Sequence, residues 1–148
     1  MSSEVINKSS VNLLKECDAG VKMAVKNIDD ILDHVSDDRL KDLLEHSRKR
    51  HIELKIEIEE LLKNYGEDEK EPNMMAKGMA FVKTNVKTSM NETDSACADL
   101  LTDGCNMGIK SLIKYLNKHQ EAEEEIKLVC GKLIKTEEEL LMAIRPFL

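Results

Sequence analysis

The chain predicts an all-α fold, a four-helix bundle built from two helical hairpins, and three observations carry that prediction. Pro occurs twice and Gly six times in 148 residues, while Ala, Leu, Glu, Lys and Met dominate, a composition that favours helix throughout. Apolar residues recur at alternating steps of three and four over several long stretches, the spacing that places them on one helix face. A stretch near the start, ECDAGVKM (Glu16 to Met23), returns as GCNMGIKS (Gly104 to Ser111). In each, a Cys is followed three residues on by Gly, then Val or Ile, then Lys.

The elements follow in order. From about Ser10 to Asp33, the residues Leu14, Cys17, Val21, Ala24, Ile28, Ile31 and Val35 form one stripe, and residues 1–9 are expected to be a flexible N-terminus. Ser36-Asp37-Asp38 supplies a cap and first-turn acids for a second helix. Its stripe runs Leu40, Leu44, Ser47, His51, Leu54, Ile58, Leu61 and Tyr65, and Gly66 stands where a left-handed cap ends a helix. So short a connection makes these two helices an antiparallel hairpin. GEDEKEPN (66–73) reads as the linker between halves. Met75, Met79, Val82, Val86 and Met90 then mark an extra short helix in the crossover. Asn91 to Asp94 is a polar break that caps the next helix, with Cys97, Leu101, Gly104, Gly108, Leu112 and Tyr115. Asn117 to Gln120 is a second tight turn. Glu121 to Glu125 suits a helix N-terminus, and the last helix carries Ile126, Val129, Leu133, Leu140 and Ile144 up to Pro146. The repeated stretch falls in the first helix of each hairpin, as a duplicated hairpin would have it, and its small residues let a neighbouring helix approach closely. Residues 1–148 therefore read as a single domain.

Two hairpins joined by a longer crossing segment describe a bundle of the ferritin-like kind. Over roughly residues 10–145 the order of pieces also resembles an uncharacterised bacterial family of ferritin-like, stress-type four-helix-bundle proteins. The stretches that carry the resemblance are LLKECDAGVKMAVKNI, LKDLLEHSRKRHIELKIEIEELL, the segment around Gly78 and LLTDGCNMGIKSLIKYL. The resemblance implies the bundle fold; that family has no assigned activity to lend.

Composition removes several classes of function. A formal net charge of −7 opposes a nucleic-acid surface, which needs a positive field to displace counterions. Four aromatic residues (Tyr65, Phe81, Tyr115, Phe147) make no base-stacking platform. No apolar run has the length of a membrane span, and MSSEVINKSS lacks the basic start and apolar core of an export signal. The cytoplasm is the expected compartment, with Cys17, Cys97, Cys105 and Cys130 as reduced, buried thiols. No nucleophile elbow or phosphate-cradling loop occurs, so the reading leans away from an enzyme and calls for no cofactor.

Such bundles hold metal with a Glu from each of two helices and a Glu-x-x-His pair on each of the other two. The residues three before His34, His46, His51 and His119 are Ile31, Leu43, Arg48 and Leu116, and none is acidic. A reduced site remains: Asp18, His51, Asp103 and Glu137 lie within roughly 5 Å of one height when measured from the hairpin turns, and could hold one Fe or Zn ion. Against it stand plainer readings. His51 can be a core histidine bonded to Asp18 or Ser47, Asp18 and Asp103 can be solvated boundary residues, and Glu137 to Glu139 an ordinary solvated run. Arg48-Lys49-Arg50 spreads around its helix and reads as solvated surface. The leading expectation is a non-enzymatic bundle acting through self-association or a protein partner. The alternative is a ferritin-like protein with a degenerate metal site.

Overall fold

A computed structural model of the chain describes residues 2–67 and 93–148. Their regular elements are four α-helices, α1 (Ser3–Leu32), α2 (Asp38–Asn64), α3 (Asp94–Lys118) and α4 (Glu124–Ala143), and a closing 3₁₀ turn, Arg145–Phe147. The expected crossover helix, and most of the expected linker, lie outside the described residues.

Helix ends follow local chemistry. Asp37 accepts the Arg39 N–H at 2.8 Å, and Thr93 accepts the Ala96 N–H at 3.1 Å; each satisfies a donor the helix itself leaves open. At the end of α2, Gly66 takes φ = 71°. Its N–H bonds Lys63 O at 2.9 Å and the Glu67 N–H reaches back to Leu62 O at 3.0 Å. This is the paired closure that a left-handed glycine permits. α1 starts at Ser3 with Ser2 as its cap, so residues 3–9, expected to be flexible, are helical. They are mostly exposed, held by local bonds rather than by burial, and a stripe of buried residues cannot reveal such turns. On α2 Leu62 is buried in place of the expected Leu61, Tyr65 at the expected end of the stripe is only partly buried, and on α3 Cys105 is buried where Gly104 was expected.

The turns fix the topology. Asp94, in the first turn of α3, receives the Ser36 N–H at 2.8 Å and the Asp37 N–H at 3.0 Å, so α3 begins beside the α1–α2 turn. At the other end Ser10 of α1 receives the Glu123 N–H at 2.9 Å, and the Tyr65 hydroxyl donates to Glu123 at 2.9 Å. Thus α2 and α3 run parallel, α1 and α4 run opposite to them, and α2 ends at the opposite end of the bundle from where α3 begins. That is the helix arrangement of a ferritin-like bundle. α1 packs on both α2 and α3, and α4 packs on both in turn. Between α1 and α3 a Cβ added to Gly20 would meet Leu112 Cδ2 at 3.6 Å, and one on Gly104 would meet Asn27 at 3.6 Å. Gly20 and Gly104 do lie where the first helices of the two hairpins meet, whereas Gly108, the counterpart of Gly20 in the repeat, faces Glu137 of α4.

Among the described residues the core comes in two storeys. The lower holds Leu13, Leu14, Val21, Ile58, Leu62, Ile126 and Leu133 with their neighbours. The upper holds Ile28, Ile31, Leu40, Leu44, Leu101, Leu140 and Ile144 with theirs. Each such side chain contributes about 1.5–3 kcal/mol by leaving water.

A candidate functional site: the polar layer between two apolar storeys

The gap between the storeys is written into the stripes. On α2 the upper storey stops at Leu44 and the lower begins at Leu54, leaving Ser47 and His51 at stripe positions between them. On α4 the lower storey stops at Ile134 and the upper begins at Leu140, leaving Glu137. On α3 the interval holds Gly108, where an added Cβ would come within 3.8 Å of Glu137 Oε2. The missing side chain leaves room for the carboxylate.

His51 has no solvent exposure and Glu137 is 5% exposed. The imidazole Nδ1 lies 2.7 Å from Ser47 O and 3.4 Å from Ser47 Oγ, and Nε2 lies 2.5 Å from Glu137 Oε1. A carbonyl oxygen only accepts, so Nδ1 carries a proton and donates. A second proton must then sit between Nε2 and Oε1, because a bare nitrogen lone pair would face a carboxylate. Burial pulls the imidazole toward its neutral form, but the hydrogen bond and charge of Glu137, with the bond to Ser47, outweigh it. The His51 pKa is therefore raised, and the pair is an imidazolium–carboxylate bridge inside the bundle. Cys105 on α3 is the third polar neighbour. Burial, then the charge and hydrogen bond of Glu137, push its thiol far up, away from thiolate.

The other two candidate residues stand apart from this pair. Asp18 has no solvent exposure, where a solvated boundary residue was the plain expectation, and it holds the Lys22 ammonium at 3.1 Å one turn along α1. Asp103 is exposed on α3. His51 and Glu137 meet while Asp18 and Asp103 do not join them. Among the described residues no group of three or more His, Cys, Asp or Glu side chains is placed to hold a metal ion. The hydrogen-bond partner expected of His51 was Asp18 or Ser47; Ser47 is one, and Glu137 is the other. Glu137 also departs from a solvated run, since Glu138 and Glu139 are exposed while it is buried. The signal was present in its position, four after Leu133 and three before Leu140, on the core face. Arg48 pairs with Asp29, and Arg50 with Glu139 at 2.8 Å, the surface role expected of that basic run.

All four cysteines are buried and none is in a disulfide. Cys17 of α1 meets Cys130 of α4 across the lower storey; its hydrogen bond to Cys130, then burial, raise its pKa. The Cys130 Sγ lies 3.9 Å from Leu112 O. No described helix is long and apolar enough to cross a membrane.

Set beside known proteins, the chain matches no family model and no curated sequence. Its fold matches the crystal structure of Dps92 from Deinococcus radiodurans with a TM-score of 0.75 at 12% sequence identity, over 96% of this chain and 87% of that one. A likeness at that identity is one of fold: this is a ferritin-like helical bundle.

Proposed function

We propose that this protein is a non-enzymatic helical bundle that acts by association, with itself or with a protein partner. The observation that carries this reading is how the polar layer closes on itself. Both imidazole nitrogens of His51 are committed, to Ser47 O and to Glu137, and the neighbouring thiol is held protonated. Such a layer offers no open ligand position and no poised nucleophile. The outer surface supports the same reading, because Ile56, Met107, Leu128 and Met142 are large apolar side chains at least half exposed.

The alternative, Fe or Zn held by Asp18, His51, Asp103 and Glu137, fits this arrangement poorly. Asp18 would have to leave Lys22, and Asp103 would have to leave solvent. One pair of measurements tests both readings: sedimentation velocity over a wide concentration range, and elemental analysis after incubation with Fe(II) and Zn(II) and desalting. Association with no His51-dependent metal is the expected result. Retained metal that is lost in His51→Ala, with the bundle still folded, would overturn it.

A further inference from the structure

The outer face of α2 carries a pattern that the bundle does not use. Ile56 is 52% exposed, and Ile52 one turn earlier lines a groove of about 550 Å³ with Glu45 and Lys49. Continuing along that face come Glu60 and Lys63, both exposed. With about 3.6 residues per turn, Glu45, Ile52, Ile56 and Lys63 share one line down the helix, and Lys49 and Glu60 flank it on the same side.

Glu45 with Lys63 and Ile52 with Ile56 are each centred on Leu54, and Lys49 with Glu60 is centred half a residue beyond it. When a second α2 is laid antiparallel against this face, related by a two-fold axis at that level, Ile52 meets the partner's Ile56. Glu45 then meets the partner's Lys63, and Lys49 meets the partner's Glu60. The two-fold repeats each contact. Both of these charge pairs are opposite in sign, and the apolar pair sits at the centre, with the Ile56 side chain entering the groove beside Ile52. An arbitrary charged helix face does not complement itself in this way, since antiparallel pairing sets as many like charges together as unlike ones.

From this we infer that α2 is the surface through which two copies of the chain form a symmetric dimer. The inference rests on the association reading above and names its partner as a second copy. A two-fold contact requires this self-complementarity, in which residue i faces j and j faces i. The central apolar pair provides the desolvated core and the outer charges provide register and exclude the parallel arrangement. A contact between two helices lies at the small end of specific interfaces, so the dimer is expected to dissociate reversibly on dilution.

The test is charge exchange at the ends of the contact, read by sedimentation equilibrium, with thermal melting to verify that each variant folds. Glu45→Lys sets like charges against the partner's Lys63, and Lys63→Glu does the same against the partner's Glu45. Each is expected to weaken the dimer about tenfold, because each alters two symmetry-related contacts. The double variant E45K/K63E restores opposite charges and is expected to regain wild-type dimerisation. Glu45 and Lys63 are about 27 Å apart along one helix, so rescue can only pass between copies. A wild-type dimer that ignores the single changes, or that the double change fails to restore, overturns the α2 surface and leaves self-association standing. A chain that stays monomeric at the highest attainable concentration overturns this dimer and, with it, the self-association reading.

Discussion

Replacing Glu137 with Leu removes one half of the bridge in the polar layer and leaves the other half buried. The imidazole keeps its bond to Ser47 O, sheds its charge because burial favours the neutral form, and leaves Nε2 without a partner at zero exposure. Breaking a buried pair costs about 3–5 kcal/mol when the remaining charge stays, and a buried unsatisfied nitrogen costs about 1–3 kcal/mol. Since His51 can neutralise, a loss of about 3 kcal/mol is expected at about pH 6, or a fall in Tm of roughly 6–12 °C. The loss depends on pH with a definite sign. The native pKa of His51 is raised above its unfolded value of about 6.5. Its contribution is therefore full below about pH 6.5 and disappears as pH rises through the native value. Wild type should lose stability across that interval, and Glu137→Leu should not. The difference between them in urea denaturation, followed by far-ultraviolet circular dichroism, should shrink as pH rises from about 6.5 through the raised native value. A double change, His51→Leu with Glu137→Met, should regain all but about 1 kcal/mol and show no slope in that interval. A cost that does not vary with pH, or one below about 1 kcal/mol at the lower pH, would refute the bridge.

Three other outcomes follow from the same structure. Lys22→Met takes the ammonium at 3.1 Å from a carboxylate with no exposure, and should cost about 2–4 kcal/mol in denaturant titrations at neutral pH. Asp94→Ala releases the two N–H groups of Ser36 and Asp37 that join the α1–α2 turn to α3; a loss of about 2 kcal/mol is expected, together with faster amide hydrogen exchange at those two residues. All four thiols are buried, so a water-soluble disulfide reagent should label the native protein no faster than it unfolds, and should label it at once in denaturant.

How much of this was legible beforehand differs from residue to residue. Cap chemistry is local, so Asp37, Thr93 and Gly66 announced the ends of α2 and the start of α3 from their own side chains and neighbours. The stripes were also legible, because a core face repeats with the helix. Slips of one residue, as at Leu61 and Leu62, occur where two adjacent apolar residues compete for the same position. The start of α1 was not legible from the stripe, because its first turns bury almost nothing.

The polar layer shows the boundary between the two kinds of information. By itself the sequence determined that His51 would lie on the buried face of α2, that no Glu-x-x-His pair exists, and that the chain would fold as two hairpins. Helix period and capping act over a few residues, and those are written in order along the chain. Which acid would meet His51 was decided only in three dimensions. Asp18, Asp103 and Glu137 all stood at similar heights, but the rotation of each helix about its axis turned Glu137 inward, gave Asp18 to Lys22 and left Asp103 in solvent. That rotation is set by the packing of the two apolar storeys against one another, a property of all four helices together that no single stretch of sequence records.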